Sequence, residues 1–364
     1  MKIKEVITIL DEFAPLGYAE AFDNTGLLVG DPEANLTGIL VTLDTLEAVV
    51  DQAIEKNCNL IVSFHPIIFK GLKKLTGATY VERVVQKAIK NDIHIFAIHT
   101  ALDNCFEGVN AQICNTLGLI NKKILIPQKE TIKKLITYAP LEMVETIKEA
   151  LFNAGGGTIG NYDECSFTSE GLGSFKGNEL SNPVQGTKGI RESTKEGMIA
   201  ITFAKHEQKN IISALHKAHP YEEVAYELTS LENKNQHIGM GMIAELEKPM
   251  TEDAFLRYLK EKMNTACIRH SNKRNKLIKK VAVLGGSGSF AISNAIAQGA
   301  DIYVTADLKY HDFYTAENKI LLADIGHYES EQYTKELLHT FLTNKFTNFA
   351  VVLSQINTNP ISYF

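Results

Sequence analysis

The stretch NLIVSFHPIIFKG, residues 59–71, holds the key to the fold. Its first half is a short apolar run of strand length, and it stops on a histidine fixed in front of a proline. Pro66 locks its own backbone angle and biases His65 toward extended geometry, so the imidazole leaves the strand end with restricted freedom. A buried strand that delivers a stiffened histidine suggests a binding edge.

Working outward, the neighbouring chain alternates. GILVTLD (38–44) reads as a strand, Ala48–Lys56 as a helix, Tyr80–Lys90 as a helix, IHIFAI (93–98) as a strand and Val109–Leu117 as a helix. Such βαβα wiring calls for parallel strands with helices on their faces. The texture returns after residue 250, with a helix over Asp253–Lys262, the strand KVAVLGG, a helix over Ala291–Gln298, the strand DIYVTAD, a helix over Lys309–Glu317, the strand ILLADIG and a last helix around Ser330. Between the blocks, residues 126–235 carry the polar, glycine-rich run 154–189, flanked by strand-like KKLITYAP and GMIAITFA. The expected organisation is a doubly wound α/β domain of residues 1–125 and 236–364, split by an inserted α+β domain of residues 126–235.

Each block ends its strands on chemistry. Asp44, His65, His99 with Asp103, Asp307 and His327 all follow predicted strands. The carboxyl edge of an open α/β sheet is where loops converge on a ligand. His327 and Glu331 lie four apart at a helix start, a spacing that shares one face. A site of imidazoles and carboxylates without thiolate suits zinc, manganese or iron as the divalent ion. One ion is expected and a second possible. Tyr328, Thr100 and His99 are natural partners for holding the ligands in orientation. The loop VLGGSGS (283–289) allows two readings, a phosphate cradle or a tight strand-to-helix turn; it matches neither the Walker loop nor the dinucleotide fingerprint.

The totals exclude several classes. The chain has 364 residues, 45% of them hydrophobic and 22% charged, with a net charge of −6. That is a globular composition without the basic field that nucleic acid requires, and Lys273–Lys280 reads as a solvated basic turn. Five cysteines, at 58, 105, 114, 165 and 267, contain no CxxC pair, which disfavours a disulfide framework or a zinc ribbon. The first residues read as an amphipathic helix, and no run of about 18 apolar residues occurs. No membrane association and a cytoplasmic location are expected.

FDNTGLLVG (22–30), SFHPIIF (63–69), HTALDNCFEGVN (99–110), GNYDECSF (160–167), HPYEEVAYEL (219–228), GGSGS (285–289), TADLKYHD (305–312) and DIGHYESE (324–331) together resemble the Nif-three-like family of GTP cyclohydrolase I type 2 homologues. The resemblance implies a dinuclear metal site with His65, Asp103, His327 and Glu331 as ligands. It also implies a PII-like insert and a toroidal homohexamer. Phe64 stands where the family has the first histidine of a pair, and it offers no lone pair. The implied activity is metal-dependent hydrolysis of a nucleotide or related small molecule, such as ring opening of GTP. The alternative is a metal-binding scaffold or metallochaperone. His219 and Glu222-Glu223 read as fold or assembly elements.

Overall fold

Apolar residues alternate between two cores along nearly every central strand, and this sorting generates the architecture. In a computed structural model describing residues 1–364, Ile39, Val41, Leu60 and Val62 face one hydrophobic cluster, while Leu40 and Ile61 face another. In the second half Val281, Val283, Ile302, Val304 and Leu321 join that first cluster, whereas Ala282, Leu284, Tyr303 and Leu322 line a third. Strands buried on both faces need continuous apolar runs, which is why these segments lack polar alternation.

The chain forms two compact units, Met1–Pro127 with Gln236–Phe364, and Gln128–Asn235. The first is α/β, and its strands are divided between two sheets. One sheet has the order Gly26–Val29, His94–Ala97, Leu60–Ser63, Ile39–Thr42, Val351–Leu353; all neighbours are parallel except the first pair. The other has the order Arg269–His270, Leu321–Asp324, Ile302–Ala306, Leu277–Ser287, Gly239–Thr251, Ile120–Pro127, with the three strands Leu277–Ser287, Ile302–Ala306 and Leu321–Asp324 mutually parallel and the rest antiparallel. The shared central core joins the inner faces of both sheets. Helix Ile3–Phe13 seals part of it through Ile3, Val6 and Leu10, which fall on one helical face.

The expected helix over Lys309–Glu317 is a 3₁₀ helix, Tyr310–Ala316, ended by Glu317 in the left-handed region. The last helix is in two pieces, His327–Glu331 and Thr334–Lys345. No helix is long and apolar enough to cross a membrane.

The second unit is a four-stranded antiparallel sheet, ordered Ser166–Lys176, Arg191–Ala204, Ile132–Pro140, Tyr226–Leu231. Helices Val144–Asn153 and Gln208–Ala218 cover one face through Val144, Ile147, Leu151, Ile211 and Leu215. His219 spends both ring nitrogens on backbone, Nε2 toward the Tyr138 carbonyl at 2.9 Å and Nδ1 accepting from the Tyr221 amide at 3.1 Å. It ties the turn to the sheet.

Candidate metal centre

Parallel register places the first donors. Thr42 pairs with Ser63 and Ser63 with Ala97, so Asp44, His65 and His99 leave three adjacent strands at the same level. The His65 amide donates to the Leu43 carbonyl at 2.9 Å, and the Ser63 hydroxyl donates to the His65 carbonyl at 2.8 Å. Backbone and proline thus fix the residue before its side chain makes any contact.

The side chain then bridges the two sheets. His65 Nδ1 lies 2.8 Å from Asp44 Oδ1, and Nε2 lies 3.1 Å from Glu331 Oε2. His327 repeats the arrangement, with Nδ1 at 2.7 Å from Asp307 Oδ2 and Nε2 at 3.2 Å from the same Glu331 oxygen. Glu331 Oε2 is buried without an aligned hydrogen bond between these two imidazoles. The ligand atoms of His65, His327 and Glu331 lie within 4.8 Å of one another, a cluster that can hold a metal ion. Each imidazole is held from behind by a carboxylate, which orients the ring and raises its basicity toward an ion.

Glu331 is only 4% exposed, and a glycine makes room for it. Gly286 has φ of +68°, and a Cβ there would lie 2.4 Å from Glu331 Oε1. The loop's amides are already engaged, Gly285 N–H with Asn110 Oδ1 at 3.1 Å and Gly286 N–H with Ser330 Oγ at 2.9 Å. Of the two readings of the glycine loop, the structure therefore supports the turn. Its glycines admit a carboxylate, and the two glycine amides nearest that carboxylate are not open to a phosphate.

Asp103 lines the same cavity, of about 340 Å³, with His327 and Glu331, but it stands outside the three-residue cluster. Its Oδ1 is buried without a hydrogen-bond partner. Burial and the charge of Glu331 push its pKa well above the usual carboxylate range. A buried carboxylate in that state calls for a proton or a cation. The donor set thus fits a divalent ion: two imidazole nitrogens free of their bracing partners, one ionised carboxylate and one orphaned carboxylate nearby.

Protons compete for the same lone pairs. Burial opposes a charge on His65, but Glu331 and Asp44 outweigh it and raise the pKa to about 10. Burial likewise opposes a charge on His327, and Glu331 with Asp307 raises it to about 9. Burial works against ionising Glu331, yet the two imidazoles bring it down to about 2.

Some site residues carried little sequence signal. Asp23 accepts from the Thr100 amide at 3.1 Å and from its hydroxyl at 2.5 Å, and sits 2.8 Å from His99 Nδ1. Burial raises the Asp23 pKa, but these donors outweigh it and bring it below the usual value. Thr358 donates its hydroxyl to Asp44 Oδ2 at 2.6 Å, behind His65. Tyr328, expected to orient a ligand, packs against the central core instead. Phe64 is fully buried in that core, its ring 4.8 Å from His65 and 5.6 Å from His99.

Fold and site together define an α/β protein with a candidate metal centre at the carboxyl edges of two sheets. Residues 1–360 match the family Duf34/NIF3 (NGG1p interacting factor 3), and the chain belongs to it. The GTP cyclohydrolase 1 type 2 homologs of Bacillus subtilis and Staphylococcus aureus are each 37% identical to it, covering 99% and 100% of this chain and 98% and 100% of their own. A solved Bacillus cereus protein related to NIF3 superposes with a TM-score of 0.83 at 34% identity, covering 100% of this chain and 99% of its own. The Staphylococcus aureus protein SA1388 gives 0.79 at 34% identity, with the same coverage.

Two outcomes follow from the bracing. An ion must displace the Nε2 protons of His65 and His327, so its apparent affinity rises with pH below about 9. The expected slope is between about tenfold and about a hundredfold per pH unit, for one or two protons displaced. Competition with a chromogenic chelator from pH 6 to 8 measures it; a flat profile would exclude these imidazoles as ligands. Thr358→Val removes a brace from Asp44 without changing side-chain shape, and should weaken metal binding by about tenfold at unchanged fold, read by the same competition.

Proposed function

We propose that the protein is a metal-dependent hydrolase acting on a small molecule in the cavity beside His327 and Glu331. The observation that carries this reading is the pair of carboxylate-braced imidazoles converging on one buried glutamate at a cavity wall. His65, His327 and Glu331 would hold one zinc, manganese or iron ion, with Asp103 as a further donor once it gives up its proton. Phe64 contributes no donor toward a second ion, which supports single occupancy per chain. A bound divalent cation supplies Lewis acidity, polarising the reacting carbon and making water a stronger acid.

The chain's own residues supply the rest. Asp23 engages Nδ1 of His99, which leaves Nε2 at the cavity wall. His99 is thereby suited to take a proton from the attacking water and return it to the leaving group. Gly286 makes room for the Glu331 carboxylate, and Phe64, fully buried, packs beside the His65 and His99 rings. A carrier has to release its ion, whereas donors braced from behind favour retention; this supports the enzyme over the metallochaperone.

The names of the curated relatives make GTP a first substrate to test, with release of formate as readout. Elemental analysis should give one ion per chain, and chelation should abolish turnover. His99→Ala should retain the ion and lose about 10² to 10⁴ in rate. Full turnover after chelation, or none with any nucleotide or nucleoside in the metal-loaded protein, would overturn the hydrolase reading.

The toroidal homohexamer and a cytoplasmic location belong to the same proposal, supported by the family resemblance. Light scattering should report six times the chain mass, and a monomer would refute the assembly.

A further inference from the structure

The cavity beside the metal cluster has a rim that binding an ion does not explain. Three phenylalanines line it while standing open to solvent: Phe22 at 67%, Phe69 at 46% and Phe290 at 56% exposure. They come from three distant parts of the chain, before the first strand, after His65 and after the glycine loop. Each holds a large apolar face in water without core packing in return. Grouped around one opening of about 340 Å³, they form a stacking surface sized for a small molecule.

The same walls carry no lysine or arginine. The amides of Gly285 and Gly286 are spent on Asn110 and Ser330, and the Ser287 hydroxyl on Asp307. No cationic side chain therefore faces the opening to hold a phosphate chain. His99 turns Nδ1 to Asp23, which leaves Nε2 for the cavity, and its ring meets Phe69 edge-on at 6.3 Å.

We infer that the cavity selects a planar nitrogen heteroaromatic ring, stacked among Phe22, Phe69 and Phe290 with one edge facing His99, and that no side chain of its wall holds a phosphate chain. This deepens the hydrolase reading by naming the substrate class, and it rests on that reading only for the fate of the ring. A nucleoside or free base fits these walls, and a triphosphate gains nothing from them.

Calorimetric titration of the full chain, both metal-loaded and chelator-treated, with hypoxanthine, guanosine, quinazolin-4-one, GTP and inorganic tripolyphosphate tests the inference. At least one of the three uncharged rings should bind saturably. In the chelator-treated protein guanosine and GTP should agree within about threefold, and tripolyphosphate should not compete. Phe22→Leu, Phe69→Leu and Phe290→Leu keep an apolar side chain but lose the ring, and each should weaken ring binding by about fivefold to tenfold. The corresponding tyrosine variants should retain it, and metal content should stay at the wild-type level in all six. No saturable ring binding, a GTP preference above about tenfold in the chelator-treated protein, or leucine variants that bind like wild type would each overturn the inference. So would leucine variants that change only the light-scattering mass, which would assign the rings to an interface between copies. Ring binding that persists in a protein shown to hold no ion at the cluster would leave this inference standing and remove the metal reading instead.

Discussion

A carboxylate that is almost wholly shut away from water governs the larger unit. Burying an isolated carboxylate costs several kcal/mol, and Glu331 is offset only because two imidazoles reach it from opposite sheets. His65 arrives from the sheet built on the first third of the chain, and His327 stands on the same short helix as Glu331 itself. The cluster thereby fastens the carboxyl edges of the two sheets to each other, at the level where their central core ends. Asp44 and Asp307 behind the imidazoles extend the charge alternation outward, and Thr358 and Ser287 extend it once more. Removing the negative centre would take away the main cause that raises both imidazoles, whose ring centroids lie 5.4 Å apart.

The strand ends were readable because parallel βαβ wiring has one functional edge, and polar residues closing apolar runs mark it. His65, His99, Asp103, Asp307 and His327 stood out for that reason. Which strands share a sheet was not readable, since alternation along the chain does not specify pairing. Val351–Leu353 joins the first sheet beside Ile39–Thr42, more than 300 residues away in sequence. Asp23 lies in irregular chain before an antiparallel edge strand, and Thr358 in irregular chain after the last one, so neither sits in a period that a sequence reading can weigh. In the second unit, Ser166–Lys176 lies inside a polar, glycine-rich run and pairs along its whole length with Arg191–Ala204. Its largely exposed face removes the apolar alternation that would have marked it as a strand.

Phe64 shows how one position can be legible as chemistry and opaque as structure. Its lack of a lone pair is plain from its identity. Only the fold shows that its ring is fully buried among central-core residues while its edge supports His65 and His99. The position contributes packing where a second imidazole would contribute charge.

The glycine loop carries the same lesson into specificity. Glycines after a strand invite a phosphate reading because open amides and a helix start can receive an anion. Here Gly286 is needed for the approach of Glu331, an anion belonging to the protein itself. An internal carboxylate in that place fills the room beside Gly286 that a bound anion would need. What remains at the opening is the aromatic rim and the His99 ring, surfaces that discriminate by shape. On the proposed reading, charge in this cavity serves the ion, and selection of the organic partner falls to flat apolar contact.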